Sequence, residues 1–279
     1  MEPKYEAAIT ALVDAYKDAI KRIRAELNRL DITNMSRANS TAALKAVSEI
    51  LAELNEESAA WVAGHIPEAA RNGIITTLLA LGVADTVAAA EKIVKFNRIN
   101  ANMVAATIAD TQADLLAVTQ NVDRRIKAAV RNATAESMRA NMAAGINGRK
   151  TLSRDILTSI RRDLGAAAET GIIDAAGRRW KPETYVDTVA RTKMAETHRT
   201  ATVNEAVQRA AFYGVISRHN ATDACARWEG RIVKFVMDAP GNYPYLYALP
   251  RREIFHPNCR HTVTPLRDPN RTLDLDTDE

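Results

Sequence analysis

The feature that most constrains the fold is an apolar repeat near the start of the chain. Between residues 5 and 30, apolar side chains recur in steps of four and three, at Ile9, Val13, Tyr16, Ile20, Ile23, Leu27 and Leu30. This heptad spacing predicts an amphipathic helix over 5–30, because residues three and four apart share one face of a helix. Such a face packs on other helices of the same chain or on a second copy, so self-association stays open.

Helical spacing continues to about residue 170. We expect a second helix after the polar segment 34–41, a break at His65-Ile66-Pro67, a nearly unbroken helix over about 85–144, and a further helix over about 154–170. Aromatic residues make up only 5% of the chain, which favours helices packed through small side chains. The fold class is therefore predicted as mainly α, with a long helical N-terminal region over 1–170.

The sequence changes character beyond residue 170. A helix is expected over 183–213, with Gly214 as its C-cap. Short strands are expected at 215–218, 231–236 and 261–265, where β-branched residues alternate with Pro, Gly and Asn turns. The sequence thus predicts a small α+β C-terminal module with short antiparallel strands over 171–266, followed by an acidic tail over 267–279.

Charge is unevenly distributed along the chain. The formal net charge is +4, but residues 121–232 hold 20 Lys/Arg against 12 Asp/Glu. A basic stretch of this kind is typical either of phosphate contacts with nucleic acid or of a solvated helical surface. Because the sequence has no apolar run of 18 residues and no signal-peptide core, we expect no membrane segment and synthesis in a cytoplasm.

Both cysteines fall among histidines in the C-terminal module. Cys225, His256, Cys259 and His261 form a two-cysteine, two-histidine set, the composition of a closed structural zinc site. Two residues separate His256 from Cys259, a spacing that a tetrahedral ion accepts. Cys225 has no C-x-x-C partner, which weakens the pattern. Structural zinc is the one cofactor that this set suggests.

A second interpretation of the same residues needs no metal. In this view Pro257–Asn258 form a tight corner and Cys259 is a small buried apolar residue. Asp223 would accept hydrogen bonds from loop amides, and Gly230 would adopt a backbone conformation closed to other residues. Trp228 would then anchor the core.

An enzymatic interpretation makes His256 and His261 a general base and a metal ligand, with Asp223 or His219 completing a metal-dependent nuclease site. Against it, the chain contains no Gly-rich phosphate loop, no G-x-S-x-G and no H-E-x-x-H.

The order of motifs after residue 170 resembles that of the minor head proteins of tailed bacteriophages, the head-morphogenesis module related to the Mu-type F protein. The resemblance covers about residues 172–266. The matching positions are Asp174, Gly177, Arg178, Trp180 and Tyr185; Ala190, Arg191 and Thr192; Asp223, Cys225, Trp228 and Gly230; and His256, Pro257, Asn258, Cys259, Arg260 and His261, with Pro265.

The resemblance implies a non-enzymatic virion protein. Such proteins enter the procapsid in few copies, associate with the portal or the capsid interior, and support head assembly and DNA packaging or delivery. Portal and capsid proteins would then be its partners, packaged DNA a non-specific contact, and the bacterial cytoplasm its site of synthesis. Many proteins of this kind carry cysteine where His261 stands and lack a counterpart of Cys225, which implies that metal is not essential to the fold.

Overall fold

The computed structural model describes residues 5–147 and 154–270, which form six α-helices and two small sheets. The helices are α1 (Glu6–Arg29), α2 (Arg37–Ala80), α3 (Val87–Ile93), α4 (Arg98–Asn147), α5 (Arg154–Glu169) and α6 (Pro182–Gln208). The strands are β1 (Ile172–Ile173), β2 (Arg179–Trp180), β3 (Tyr213–Ile216), β4 (Ile232–Lys234) and β5 (Val263–Leu266). The prediction of a mainly α fold with short C-terminal strands is confirmed. Among the described helices, none is both long and apolar enough to cross a membrane.

The chain divides into two compact units. The C-terminal unit holds Tyr5, residues 63–110 and residues 188–270, and the N-terminal unit holds residues 6–62 and 111–187. Three helices (α2, α4 and α6) contribute residues to both units. The domain boundary near residue 170 stays a prediction, and residues 271–279 of the predicted acidic tail lie outside the described residues.

The heptad face of α1 is a core face of the N-terminal unit. Buried positions follow the predicted repeat and include Ile9, Tyr16, Ile23 and Leu27. The Tyr16 hydroxyl donates to the Leu115 carbonyl at 3.4 Å, which ties α1 to α4. This face is therefore occupied within the chain rather than exposed for docking to a second copy.

The helix break expected at His65-Ile66-Pro67 is wrong, because α2 continues through Pro67 to Ala80. A proline inside a helix costs about 3 kcal/mol, since it removes one backbone donor and crowds the preceding turn. Ile66, Ala69 and Ala70 are fully buried around it. Their packing keeps the helix continuous despite the proline.

The long helix expected over 85–144 is interrupted. Helix α3 ends at Ile93, and Val94 leaves the helical region with a ψ of 123°. Helix α4 starts at Arg98, where the Asn97 side chain accepts a hydrogen bond from the Asn100 amide at 2.7 Å. Asparagine is a strong N-cap, and here it begins a new helix in a segment whose alanine-rich sequence predicts a single continuous one.

The sequence predicts Gly214 as the C-cap of α6, and this prediction is wrong. The helix ends at Gln208, Ala210 takes a φ of +57°, and the Ala211 amide donates to the Ala206 carbonyl at 2.9 Å. Gly214 lies within β3 instead. A Cβ atom there would stand 2.4 Å from Cζ of Phe235, so the sheet requires glycine at this position.

The three C-terminal strands form an antiparallel sheet in the order β4-β3-β5, with Gly214 opposite both Val233 and Pro265. A core packs against one side of this sheet and onto the end of α6. Its buried members are Val203, Ala206, Ala211, Ile216, Cys225, Val233, Phe235, Leu246, Leu249, Ile254, Cys259 and Val263. Both cysteines thus belong to the core of the C-terminal unit.

Candidate metal centre

The segment His256–Cys259 is a tight turn. The Cys259 amide donates to the His256 carbonyl at 3.0 Å, and Asn258 has a φ of +66°. Proline at the second position and a left-handed asparagine at the third are the features of a type II turn. The turn places His256 and Cys259 at its two ends. The corner interpretation and the metal interpretation are therefore compatible, because the corner brings two donors together.

Cys225 reaches the turn from an earlier loop. It lies in a short 3-10 helix, Ala224–Trp228, whose N-cap is Asp223. The Asp223 carboxylate accepts a hydrogen bond from the Cys225 amide at 2.9 Å. This bond is the main cause that lowers the pKa of Asp223 below its ordinary value. Asp223 therefore accepts a hydrogen bond from one loop amide, that of Cys225, and caps the short helix.

Three of the four predicted donors form one group. Cys225 Sγ lies 3.1 Å from His256 Nε2 and 3.9 Å from Cys259 Sγ, and the three donor atoms all lie within 4.8 Å of one another. Two sulfur ligands of a tetrahedral zinc ion, each about 2.3 Å from the metal, lie about 3.8 Å apart. The sulfur–sulfur distance therefore fits zinc, while the sulfur–nitrogen distance is somewhat below the roughly 3.6 Å expected for such a pair.

The orientation of the His256 ring suits a ligand. Its Nδ1 atom lies 2.8 Å from the Pro257 carbonyl, which can only accept a hydrogen bond. Nδ1 therefore carries a proton, and Nε2 lies 3.1 Å from the Cys225 sulfur and 3.5 Å from Oδ2 of Asp223. Metal-binding histidines are commonly held in this way through their second nitrogen.

His261 lies beside the three-donor group rather than within it. The ring is buried, with Nδ1 3.3 Å from Cys259 Sγ and Nε2 3.0 Å from Glu229 Oε1. The carboxylate accepts the Nε2 proton, so the lone pair on Nδ1 faces the sulfur. Nδ1 of His261 therefore contacts one sulfur of the group, while the group of three donors itself does not include this ring.

Sequence reasoning missed Glu229. One oxygen of its side chain also accepts from the amides of His219 at 2.8 Å and Ala221 at 3.1 Å. Burial acts to raise the pKa of Glu229, but the hydrogen bonds from His219, His261 and Ala221 outweigh it and lower the pKa. Glu229 lies between two motif residues, Trp228 and Gly230, and this position is the one sequence signal that points to it.

The pKa of the Cys225 thiol bears on whether this group would bind a cation. Burial raises the pKa of Cys225 above that of a free thiol, and the neighbouring Cys259 and Asp223 raise it further. A divalent cation would reverse this balance because it favours the thiolate. Cys225 and Cys259 are only 2% and 8% exposed, whereas the side chain of the third donor, His256, is 27% exposed. The two buried sulfur atoms favour a structural site over a catalytic one.

The other motif residues of this module form packing contacts, hydrogen bonds and turns outside the group of three donors. Trp228 donates from Nε1 to Glu253 at 3.2 Å, and the Arg231 guanidinium lies 5.2 Å from its ring centre. Gly230 has a φ of +73°, a conformation that favours glycine. Pro257, Asn258 and Arg260 are exposed at the turn, whereas Arg191 and Thr192 are half-buried on α6.

Trp180 belongs to a separate cluster in the N-terminal unit. Its Nε1 atom donates to Asp174 at 3.0 Å, and its ring meets the edge of Tyr185 at 6.3 Å between centroids. Asp174 also accepts from the Arg178 amide at 2.9 Å, within the β1–β2 hairpin. The bonds from Trp180 and Arg178 lower the pKa of Asp174 to about 2. These motif residues therefore close a hairpin.

A comparison with protein families gives a match over nearly the whole chain. A family model described as phage minor capsid protein 2 matches residues 6–268. No curated protein and no solved structure has significant similarity to the chain.

Proposed function

The chain belongs to the phage minor capsid protein 2 family, and from this premise we propose that it supports head assembly and DNA packaging or delivery at the portal vertex or in the capsid interior. The observation that carries the proposal is the extent of the match, over residues 6–268 of a chain of 279 residues. The family indicates a virion protein with virion proteins as its partners. Portal association and a position inside the head are the finer steps of the proposal.

The proposed role is structural rather than enzymatic. A nuclease that used His256 and His261 would need a metal with an open position and a route for DNA. His261 is buried and hydrogen-bonded to Glu229, and the other donors near it are core cysteines. These surroundings favour a site that stabilises the module.

The second part of the proposal is a structural zinc ion held by Cys225, His256 and Cys259, with His261 as the fourth ligand. The ion would link the loop after β3 to the turn before β5. When bound, zinc would supply positive charge that holds the buried thiols as thiolates. Glu229 would orient His261 through the hydrogen bond to Nε2.

The third part is a non-specific contact with packaged DNA. Its support is the excess of basic residues in the stretch 121–232, 20 Lys/Arg against 12 Asp/Glu. Contacts of this kind go to phosphates, so the affinity for DNA must fall steeply with salt. An affinity that stays constant between low and physiological salt would contradict this part.

A deletion of the gene in the phage that carries it tests the head role. We expect the protein in purified wild-type virions, a crosslink to portal or capsid protein, and a loss of DNA-filled infectious particles on deletion. A plasmid copy of the wild-type gene should restore them. Absence of the protein from virions, or an unchanged yield without the gene, would contradict the role.

A nuclease assay separates the two candidate functions. Purified protein is incubated with plasmid DNA and magnesium, manganese or zinc. We expect intact DNA under all three conditions. Cleavage that disappears in His256→Ala would replace the structural proposal with the enzymatic one.

A further inference from the structure

A cleft of about 600 Å³ lies between α4 and α5 in the N-terminal unit. Its walls come from residues 125–139 of α4 and 160–167 of α5, and Arg179 of β2 adds a third side. Small side chains leave the space open, among them Ala128, Ala129, Ala133, Ala166 and Ala167. The two helices are thus separated by a space that the chain's own large side chains do not fill.

Three arginines line this cleft, Arg125, Arg139 and Arg179. Within residues 5–147 and 154–270, none of the three forms an ion pair, and the buried Nε atom of Arg125 has no hydrogen-bond partner. Of the two lining carboxylates, Glu136 and Asp163, the second lies 3.4 Å from Arg162 Nε. The cleft therefore presents guanidinium donors that the described part of the protein leaves available.

We propose that this arginine cleft (Arg125, Arg139 and Arg179) binds phosphate groups of the DNA backbone. Arginine suits phosphate because its planar group presents several N–H donors in a fixed fork. A buried guanidinium N–H without a partner would gain an acceptor from a phosphate oxygen. The inference rests on the proposed DNA contact and names its site.

The extent of the positive charge favours a polymer over a small anion. Arg125 and Arg139 are 14 residues apart on one helix, which places their Cα atoms about 21 Å apart along the axis. Residues 121–139 carry five Lys/Arg against two Asp/Glu, and Arg124 and Arg131 are exposed on the same helix. A single phosphate or a mononucleotide cannot reach across such a distance, whereas successive phosphates of a DNA strand can.

The test is the affinity of the full-length protein for a labelled 30-base-pair duplex of arbitrary sequence, measured by fluorescence anisotropy over a series of salt concentrations. The variant Arg125→Ala/Arg139→Ala/Arg179→Ala should bind the duplex at least about tenfold more weakly. The slope of log affinity against log salt concentration should become about two to three units less steep, since about one counterion is released for each phosphate contact. The matched control is Arg22→Ala/Arg24→Ala/Arg29→Ala. It removes the same charge from arginines already paired with Glu53, Glu169 and Glu26, and should change the affinity much less.

A second variant protects the test against misfolding. Arg139→Ala/Arg179→Ala alters only exposed side chains, so we expect wild-type thermal unfolding together with a partial loss of affinity. Equal DNA binding by both triple variants would overturn the proposal, because the effect would then be one of net charge.

Competition with small anions distinguishes the source of the phosphate. Inorganic phosphate and a mononucleotide, each at the same phosphate concentration as an unlabelled competitor duplex, should fail to displace the labelled DNA. Displacement by either as effective as that by the duplex would make the cleft a small-anion site and overturn the proposal. The head role is scored separately, by the presence of the protein in virions, so failure of one proposal is distinguishable from failure of the other.

Discussion

The imidazole of His261 donates from Nε2 to the Glu229 carboxylate at 3.0 Å and faces Cys259 Sγ with Nδ1 at 3.3 Å. The same carboxylate oxygen holds the amides of His219 and Ala221. One acidic side chain therefore fixes both the loop after β3 and the ring that stands beside the cysteines.

The charge of Glu229 should stabilise the fold at neutral pH. Glu229→Gln should lower the free energy of unfolding by about 1–2 kcal/mol at pH 7, because charge-assisted hydrogen bonds become neutral ones. Since the folded pKa of Glu229 is lowered, this stabilisation is present above the ordinary glutamate pKa and is lost as the pH falls through the folded value. Urea unfolding at pH 7 and pH 3 should show the difference shrinking. Glu53→Gln, an exposed control, should change little at either pH.

Metal content tests the proposed zinc site. Protein purified without chelator should hold one equivalent of zinc by elemental analysis, and Cys225→Ser, Cys259→Ser and His256→Ala should each lose it. Chelator should lower the thermal midpoint of the wild type, because zinc binding in a structural site contributes on the order of 10 kcal/mol to folding. His65→Ala, a half-exposed histidine paired with Glu68, should retain the metal. Wild-type protein free of zinc would contradict the metal site and leave only the interpretation of the segment as a structural turn.

Two glycines of α2 should respond in opposite directions to alanine. A Cβ atom on Gly73 would lie 2.2 Å from the His198 carbonyl oxygen of α6, whereas one on Gly64 would have nothing within 4 Å. Gly73→Ala should therefore destabilise by about 1–3 kcal/mol through overpacking. Gly64→Ala should stabilise by about 0.5–1 kcal/mol, because alanine loses less entropy in a helix. Urea midpoints that move together would contradict this close approach of α2 and α6.

Asp174 should make the hairpin in the N-terminal unit sensitive to acid. Its pKa is lowered to about 2 from 3.8, so its contribution is present above pH 3.8 and disappears as the pH falls to about 2. Asp174→Asn should lower the urea midpoint at pH 6 and match the wild type near pH 2. Asp14→Asn, an exposed control paired with Lys17, should follow the wild type throughout. A loss of stability in Asp174→Asn that is the same at both pH values would indicate a packing effect instead of a charge effect.

The turn at Asn258 gives a test of backbone conformation. Asn258→Gly should be tolerated, since glycine adopts a positive φ without strain. Asn258→Val should cost about 1–2 kcal/mol, because a β-branched residue is strained at the observed φ of +66°. Equal stability of the two variants would contradict the left-handed conformation.

The parts of the fold that the sequence predicted are those set by local patterns. The heptad of α1 places apolar residues on one face whatever lies opposite, and the turn residues Pro257 and Asn258 specify a corner within four residues. The errors arose where tertiary packing or a single cap decides the outcome. Buried residues pack around Pro67 and keep the helix continuous. Asn97 caps the start of α4, and Gly214 leaves room for the ring of Phe235.

The candidate site was predictable in its residue types but not in its arrangement. Cys225, His256 and Cys259 are rare residues brought within reach of one another. His261 proved to face a single sulfur, and Glu229 was missed because a lone carboxylate in a sequence carries no sign of what it accepts. The arginine cleft depends on contacts among α4, α5 and β2, which no local pattern reveals.

The type II turn also bears on the order in which the C-terminal unit assembles. His256 and Cys259 become neighbours as soon as four residues fold, whereas Cys225 lies 34 residues before Cys259. Bringing the third donor to the turn therefore requires the closure of one loop, and its entropic cost grows by only about 0.6 kcal/mol for each doubling of the loop length. The local turn has already placed two of the three donors side by side, so the entropic cost of assembling the group falls on this single loop.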